Sequence, residues 1–172
     1  MDIYFVRHGE STYNVNPLDD SIDCPLTTLG VEQSIKLKPC SYPNHYSLII
    51  CSPLRRCIDT IKLSKITCDH FEINDLFREI RSGSKSDLLN ENEKNLFENE
   101  QEIKQRINQI NSYLLEKKKL NIYSNILIVT HVGRECTIIT LEKNLIFYNF
   151  YYSEDISKKE NKNSIFTQFF EI

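Results

Sequence analysis

The sequence predicts an α/β domain built on a mostly parallel sheet. Short apolar runs at residues 2–6, 47–51 and 126–130 read as buried strands. Each is followed by residues with capping or helical spacing, and strand alternating with helix is the pattern of a parallel sheet. Each strand-like run also gives way abruptly to polar residues that include arginine or histidine.

The first ten residues set the theme. Apart from Asp2, residues 2–6 are β-branched or aromatic, and the run ends in Arg7-His8-Gly9. A guanidinium, an imidazole and a glycine free to take positive φ then stand at a strand's carboxyl end, where open α/β sheets bind their ligands. A polar loop covers residues 15–23. Thr27 or Thr28 then caps a helix expected to run to about Lys38, with Pro39 stopping it. Residues 47–51, Ser-Leu-Ile-Ile-Cys, read as a second strand leading into Ser52-Pro53-Leu54-Arg55-Arg56. Leu54, Cys57, Ile58 and Ile61 continue with helical spacing, Pro53 suits the first turn of that helix, and Arg55 reads as a solvated helix charge. Residues 71–73, Phe-Glu-Ile, read as a third, short strand.

Farther on, Leu96, Ile103, Ile107, Ile110 and Leu114 recur at helical intervals. One long amphipathic helix is expected from Glu93 to about Lys118, with Lys117, Lys118 and Lys119 complementing its C-terminal dipole. Glu98 and Arg106 on that stretch read equally well as a surface pair. Residues 126–131 form the strongest strand signal and end in His131. A helix is expected over 134–142. The tail holds an aromatic segment, 145–152, that fits either a strand or a short helix, then a polar loop, 153–163, and a last strand over 164–170. Nothing suggests an internal repeat or a linker, so residues 1–172 read as a single domain.

Composition bounds the function. A chain of 172 residues can bury a sizeable core, and 40% hydrophobic with 26% charged residues is ordinary for a globular protein. A net charge of −3 argues against a nucleic-acid or membrane surface, so any anion site must be a local concentration of cations. No run approaches the ~18 apolar residues of a membrane span, and strand-like residues follow Met1 directly, so no signal peptide is expected. The six cysteines, Cys24, Cys40, Cys51, Cys57, Cys68 and Cys136, include no C-x-x-C pair and lack zinc-ligand spacing. Reduced structural thiols and a cytoplasmic location follow as expectations.

Of the four histidines, only His8 and His131 terminate apolar strand-like runs; His45 and His70 sit in polar, turn-rich contexts and are expected to be exposed. In a parallel sheet the three strand ends share one edge, so Arg7, His8, Arg56 and His131 would converge. Such a cluster suits phosphoryl transfer. Guanidinium forks match phosphate oxygens, a neutral imidazole is a competent nucleophile, and the transition state spreads negative charge over three equatorial oxygens. No carboxylate or thiol lies at ligand spacing from either histidine, so no metal site is expected.

The string Arg7-His8-Gly9-Glu10-Ser11-Thr12-Tyr13-Asn14 resembles the opening signature of the histidine phosphatase superfamily, which includes the phosphoglycerate mutases. Asp23, Leu26, Thr27, Gly30 and Gln33 match its Asp-x-x-Leu-Thr-x-x-Gly-x-x-Gln string in register. Arg56 and Thr60 match its Ser-x-Leu-x-Arg segment and the threonine four residues on. Residues 76–83 are similar to its Leu-x-Glu-Ile-x-x-Gly segment with one residue of altered spacing, and His131 maps to its second histidine. Glu98 and Arg106 echo its Glu-Ser…Arg pattern. The resemblance implies a three-layer α/β/α sandwich, phosphoglycerate mutase-like, with a small helical cap from about residues 76–120. It further implies His8 as the nucleophile that becomes phosphorylated, Glu79 as general acid, and Arg7, Asn14, Arg56 and His131 as phosphate- or substrate-binding groups. The chain departs from the pattern at Ser84-Lys85-Ser86-Asp87, where members usually carry an aromatic and a Glu-Gly pair, so the pocket wall should differ.

The expected function is hydrolysis of a phosphomonoester, small-molecule or protein-borne, through a phosphohistidine and without metal or other cofactor. A cofactor-dependent phosphoglycerate mutase would use the same residues. Those mutases carry longer insertions between the acid and the second histidine, whereas here a mostly helical stretch separates Glu79 from His131, so water should enter. A non-catalytic binding module on the same fold is the other alternative; it has no physical need for Arg7, His8, Arg56 and His131 together.

Overall fold

The computed structural model describes residues 1–40, 43–94 and 96–131, together with the strand residues 170–171. Among these residues five strands form one sheet: β1 (Asp2–Arg7), β2 (His45–Cys51), β3 (Thr67–Ile73), β4 (Asn125–Thr130) and β5 (Phe170–Glu171). Their order is β3-β2-β4-β1-β5; all pairings are parallel except β5, which runs antiparallel to the start of β1. Among the described residues four α-helices accompany them: α1 (Thr12–Val15), α2 (Thr28–Cys40), α3 (Arg55–Ser64) and α4 (Glu100–Leu120).

This order explains the layers. The chain moves outward from β1 to β2 to β3, then returns to place β4 between β1 and β2. Crossovers between parallel strands are right-handed, so reversing direction moves the connecting helix to the other face. The core divides accordingly. Alternate strand residues Val6, Ile49, Cys51, Leu127 and Val129 pack with Leu37 of α2 and Cys57 and Ile61 of α3. Their neighbours Ile3, Phe5, Leu48, Ile50, Ile126 and Ile128 pack with Ile110 and Leu114 of α4 and with Phe77. Residues buried on both faces of a central sheet read as continuous apolar runs, as these strands do.

The structure adjusts several boundaries. α4 begins at Glu100, not Glu93, because Asn99 accepts the amides of Gln101 and Glu102 while Glu102 reaches back to the Asn99 amide. That capping box outweighs the apolar periodicity upstream. Glu93 instead pairs with Arg78 at 2.9 Å. α2 runs through Pro39 to Cys40, since a proline so near the C-terminal end removes only one backbone bond. Pro53 precedes the N-cap Leu54 and so lies just before the first turn of α3. β3 is longer than residues 71–73, its polar alternation being that of an exposed edge strand. His45 and His70 lie in β2 and β3, not in turns, and both are exposed as expected. Arg55 is exposed and pairs with Asp59 at 3.2 Å. The helix expected over 134–142, the segment 145–152, the loop 153–163 and all but the end of the strand expected over 164–170 lie outside the described residues. Among the described residues no helix is long and apolar enough to cross a membrane.

Ile128 is fully buried in β4, paired in register with Phe5 and Ile50. Ile128→Ala is expected to lower unfolding free energy by about 2–5 kcal/mol, the usual range for a core isoleucine truncation. Phe71→Ala, on the exposed edge strand, should change it by no more than about 0.5 kcal/mol. Urea unfolding of the two variants checks this; similar losses would contradict the layer assignment.

Candidate active site

β1 and β4 end in register, Arg7 opposite Thr130, and β2 ends with Cys51 opposite Val129. The residues just past these ends therefore meet at one edge. His8 extends the ladder by donating its amide to the Thr130 carbonyl at 3.2 Å. The His8 and His131 rings lie 5.0 Å apart, centroid to centroid. His8 Nδ1 is 2.7 Å from the Gly9 carbonyl, an acceptor, so Nδ1 carries the proton and Nε2 keeps its lone pair.

The loop after His8 is held by residues that capping alone would not require. A Cβ on Gly9 would lie 2.5 Å from the Gly30 carbonyl, and one on Gly30 would lie 2.0 Å from the Glu10 carbonyl. Only glycine permits the N-terminus of α2 to approach so closely. Gly9 donates its amide to Thr60 Oγ1 at 2.9 Å, Glu10 donates its own to Gln33 Oε1 at 2.9 Å, and Thr27 Oγ1 donates to Glu10 Oε1 at 2.7 Å. Thr27, Gly30, Gln33 and Thr60 thus fix the backbone on which His8 stands.

His131 follows β4 directly, and its side chain is 2% exposed. Its Nε2 lies 2.8 Å from Ser52 Oγ and 3.3 Å from Cys57 Sγ. Burial pushes the Cys57 thiol's pKa well up, so it stays protonated. With hydroxyl and thiol available to donate to Nε2, the imidazole proton belongs on Nδ1, which has no hydrogen-bond partner among the described residues. The nearest carboxylate oxygen, Glu79 Oε2, is 3.8 Å from that nitrogen.

Arg56 is 3% exposed and anchored from behind. It donates through Nη1 to the Ser86 carbonyl at 2.7 Å and through Nη2 to Asp87 Oδ1 at 3.1 Å. Asp87 is itself buried, with Ser86 Oγ at 3.4 Å and Ser82 Oγ at 3.5 Å. The loop ahead of α2 closes over this corner, as Asp20 accepts from Ser84 Oγ at 2.5 Å and from the Ser86 amide at 3.1 Å. Arg7 is partly buried, and its Nε lacks a partner among the described residues. Asn14 is exposed and uses its Oδ1 to accept the Ser11 amide and hydroxyl in the cap of α1.

The structure thus brings His8, Arg56, Glu79 and His131 together with Arg7, and leaves Asn14 in the cap of the adjoining turn. Sequence reasoning did not place Asp87, Ser52 or Cys57 in the cluster. The signal for Asp87 was the departure at Ser84-Lys85-Ser86-Asp87; Ser52 stood in the quoted Ser-x-Leu-x-Arg segment.

The charges follow from burial. Desolvation, with Arg56 and Arg7 nearby, holds the His8 pKa well below its ordinary value. Desolvation, then Arg56, His8 and Arg7, does the same to His131. Both imidazoles are neutral at neutral pH. Desolvation, reinforced by Asp87, raises the Glu79 pKa against the pull of Arg56 and Arg7. Burial likewise raises Asp87, opposed by Arg56.

Depressed histidine pKa values make stability fall on acidification. Below the unfolded imidazole value of about 6.5, the unfolded chain takes up protons that folded His8 and His131 refuse. The raised carboxyl values act in the opposite sense. The unfolding free energy of wild type is therefore expected to drop more steeply between about pH 7 and about pH 5 than that of His8→Gln/His131→Gln. Parallel urea titrations across that window check this; equal slopes would contradict the neutral assignment.

Solved structures resemble this chain over most of its length. One from Escherichia coli K-12, provisionally described as an α-ribazole-5′-P phosphatase, aligns with a TM-score of 0.58 and 26% identity, covering 76% of this chain and 74% of that one. The α-ribazole phosphatase of Shigella flexneri aligns with a TM-score of 0.58 and 25% identity over the same shares. A phosphoserine phosphatase from Entamoeba histolytica shares the fold with a TM-score of 0.50 and 19% identity, covering 76% of this chain and 74% of that one. No curated protein matches the chain. The sequence profile of the histidine phosphatase superfamily (branch 1) matches residues 3–143, and the chain belongs to that superfamily.

Proposed function

We propose that this chain hydrolyses phosphomonoesters through a phosphohistidine at His8. The observation that carries the reading is the buried His8–His131 pair, 5.0 Å apart, beside Arg7, Arg56 and Glu79. In the first step His8 Nε2 attacks phosphorus, a P–N bond forms and the bond to the leaving oxygen breaks. Glu79, whose pKa burial raises, gives its proton to that oxygen. In the second step water attacks phosphorus and Glu79 takes the water's proton, releasing phosphate and free His8. Arg7 and Arg56 face the phosphoryl oxygens, and His131 donates from Nδ1 to an equatorial oxygen. Asn14 borders the substrate from the turn after β1. These groups supply the positive field and the donors that phosphoryl transfer requires, and the scheme routes no step through a metal.

Hydrolysis rather than mutase transfer is favoured by the phosphatases among the similar structures, including the α-ribazole phosphatase at 25% identity. Within a single domain spanning residues 1–172, the cap over the site is short. It consists of the irregular part of residues 76–120, because α4 packs its Ile110 and Leu114 against the sheet. The substrate is a small-molecule or protein-borne phosphomonoester. The reading fits a cytoplasmic enzyme with reduced thiols.

A phosphomonoester panel, with phosphoglycerate transfer assayed alongside, should show phosphate release as the dominant reaction. Glu79→Gln should slow hydrolysis of an alkyl phosphate by roughly 10²–10⁴-fold, the worth of general acid catalysis. p-Nitrophenyl phosphate should lose far less, because its leaving group hardly needs a proton. Dominant phosphoglycerate transfer would overturn hydrolysis, and equal losses on both substrates would remove Glu79 from the acid role.

A further inference from the structure

Glu79 sits on backbone with no helix or strand of its own, between the 3₁₀ turn Asp75–Phe77 and the isolated bridge of Ser82 with Phe97. Such a segment keeps a fixed shape only if its polar groups find partners elsewhere. Two side chains supply them. Arg106 on α4 donates through Nη1 to the carbonyls of Arg78 at 3.0 Å and Glu79 at 3.5 Å, and through Nη2 to Glu98 Oε2 at 2.7 Å. Glu98 Oε2 also accepts the Arg81 amide at 2.8 Å, while the Glu98 amide donates to the Arg81 carbonyl at 2.9 Å. The pair is no surface decoration: the Arg106 and Glu98 side chains are 16% and 17% exposed.

The geometry is that of a clasp. A planar guanidinium bridges the carbonyls at and before Glu79 to a carboxylate that holds the amide two residues after it. Arginine suits this task because its fork is rigid and fixes several acceptors at once. Both terminal nitrogens of Arg106 bond within the protein. Thr130 Oγ1 adds a tie at the strand end, donating to the Phe77 carbonyl at 2.8 Å.

We infer that the Glu98–Arg106 pair is a positioning device for Glu79, fixing the backbone on both sides of it and so the approach of its carboxyl to the leaving oxygen. The inference rests on the acid role proposed above for Glu79. A misplacement of about 1 Å in a reacting group can lower a rate by about 10²-fold. The loss would fall on the step that needs the proton. A pair that only stabilised the fold would lower turnover of every substrate alike.

The test compares kcat and KM for β-glycerophosphate and p-nitrophenyl phosphate in wild type, Arg106→Gln, Glu98→Gln, Glu79→Gln and the Arg106→Gln/Glu79→Gln double variant. Arg106→Gln is expected to lower kcat on β-glycerophosphate on the order of 10²-fold and on p-nitrophenyl phosphate by less than about fivefold, with KM little changed. The double variant should fall no further than Glu79→Gln alone, as groups acting as one unit do. Glu98→Gln, nearly isosteric, should show the same substrate contrast and stands in if Arg106→Gln does not fold. Equal losses on the two substrates, or an additive double variant, would overturn the clasp while the Glu79→Gln contrast preserves the acid. Absence of that contrast in Glu79→Gln itself would overturn both.

Discussion

The late return of β4 into the gap between β1 and β2 governs the rest of the molecule. Two strands that leave each other in sequence are held apart by a third that arrives about seventy residues later in the chain. The reversal puts α2 and α3 on one face and α4 on the other. It also opens the crevice at the carboxyl ends, where ligands of α/β sheets bind. Because β1 and β4 end together, His8 and His131 face each other without any long side chain having to reach. The buried runs that make the strands and the polar residues that follow them are one design: the core fixes the register, and the register places the imidazoles.

Two arginines beside two imidazoles would be an unfavourable cluster if all four were charged. Burial resolves this by keeping the imidazoles neutral. Removing a guanidinium from water has an effective penalty of several kcal/mol, and Asp87 offsets it for Arg56. The result is a local positive field in a chain of net charge −3. The segment Ser84-Lys85-Ser86-Asp87 gives the wall of the site its own carboxylate, tied to the arginine and overlain by Asp20.

Much of this was legible in sequence. His8 and His131 stood out because each terminates an apolar run, a pattern that survives folding as a place on the sheet edge. Arg56 was legible for the same reason, five residues past the end of β2. Thr27, Gly30 and Gln33 matched a known string, but their physical task, holding Gly9 and Glu10, emerged only with the close approach of α2. Asp87 meets Arg56 across 31 residues of chain, a contact no local periodicity encodes. The start of α4 was misplaced because Leu96 continues the helical spacing, whereas Asn99 and Glu102 supply a stronger start signal. The Glu98–Arg106 pair lay in view, yet its burial and its backbone partners depend on where residues 78–81 fold.

The central claim is that His8 carries the phosphoryl group. Its most direct test is rapid acid-free quenching of turnover with a radiolabelled phosphomonoester, followed by peptide mapping. The account predicts an acid-labile, base-stable label on the peptide containing His8 and none in His8→Ala. Label retained by His8→Ala at the wild-type level, or mapped to another residue, would contradict it.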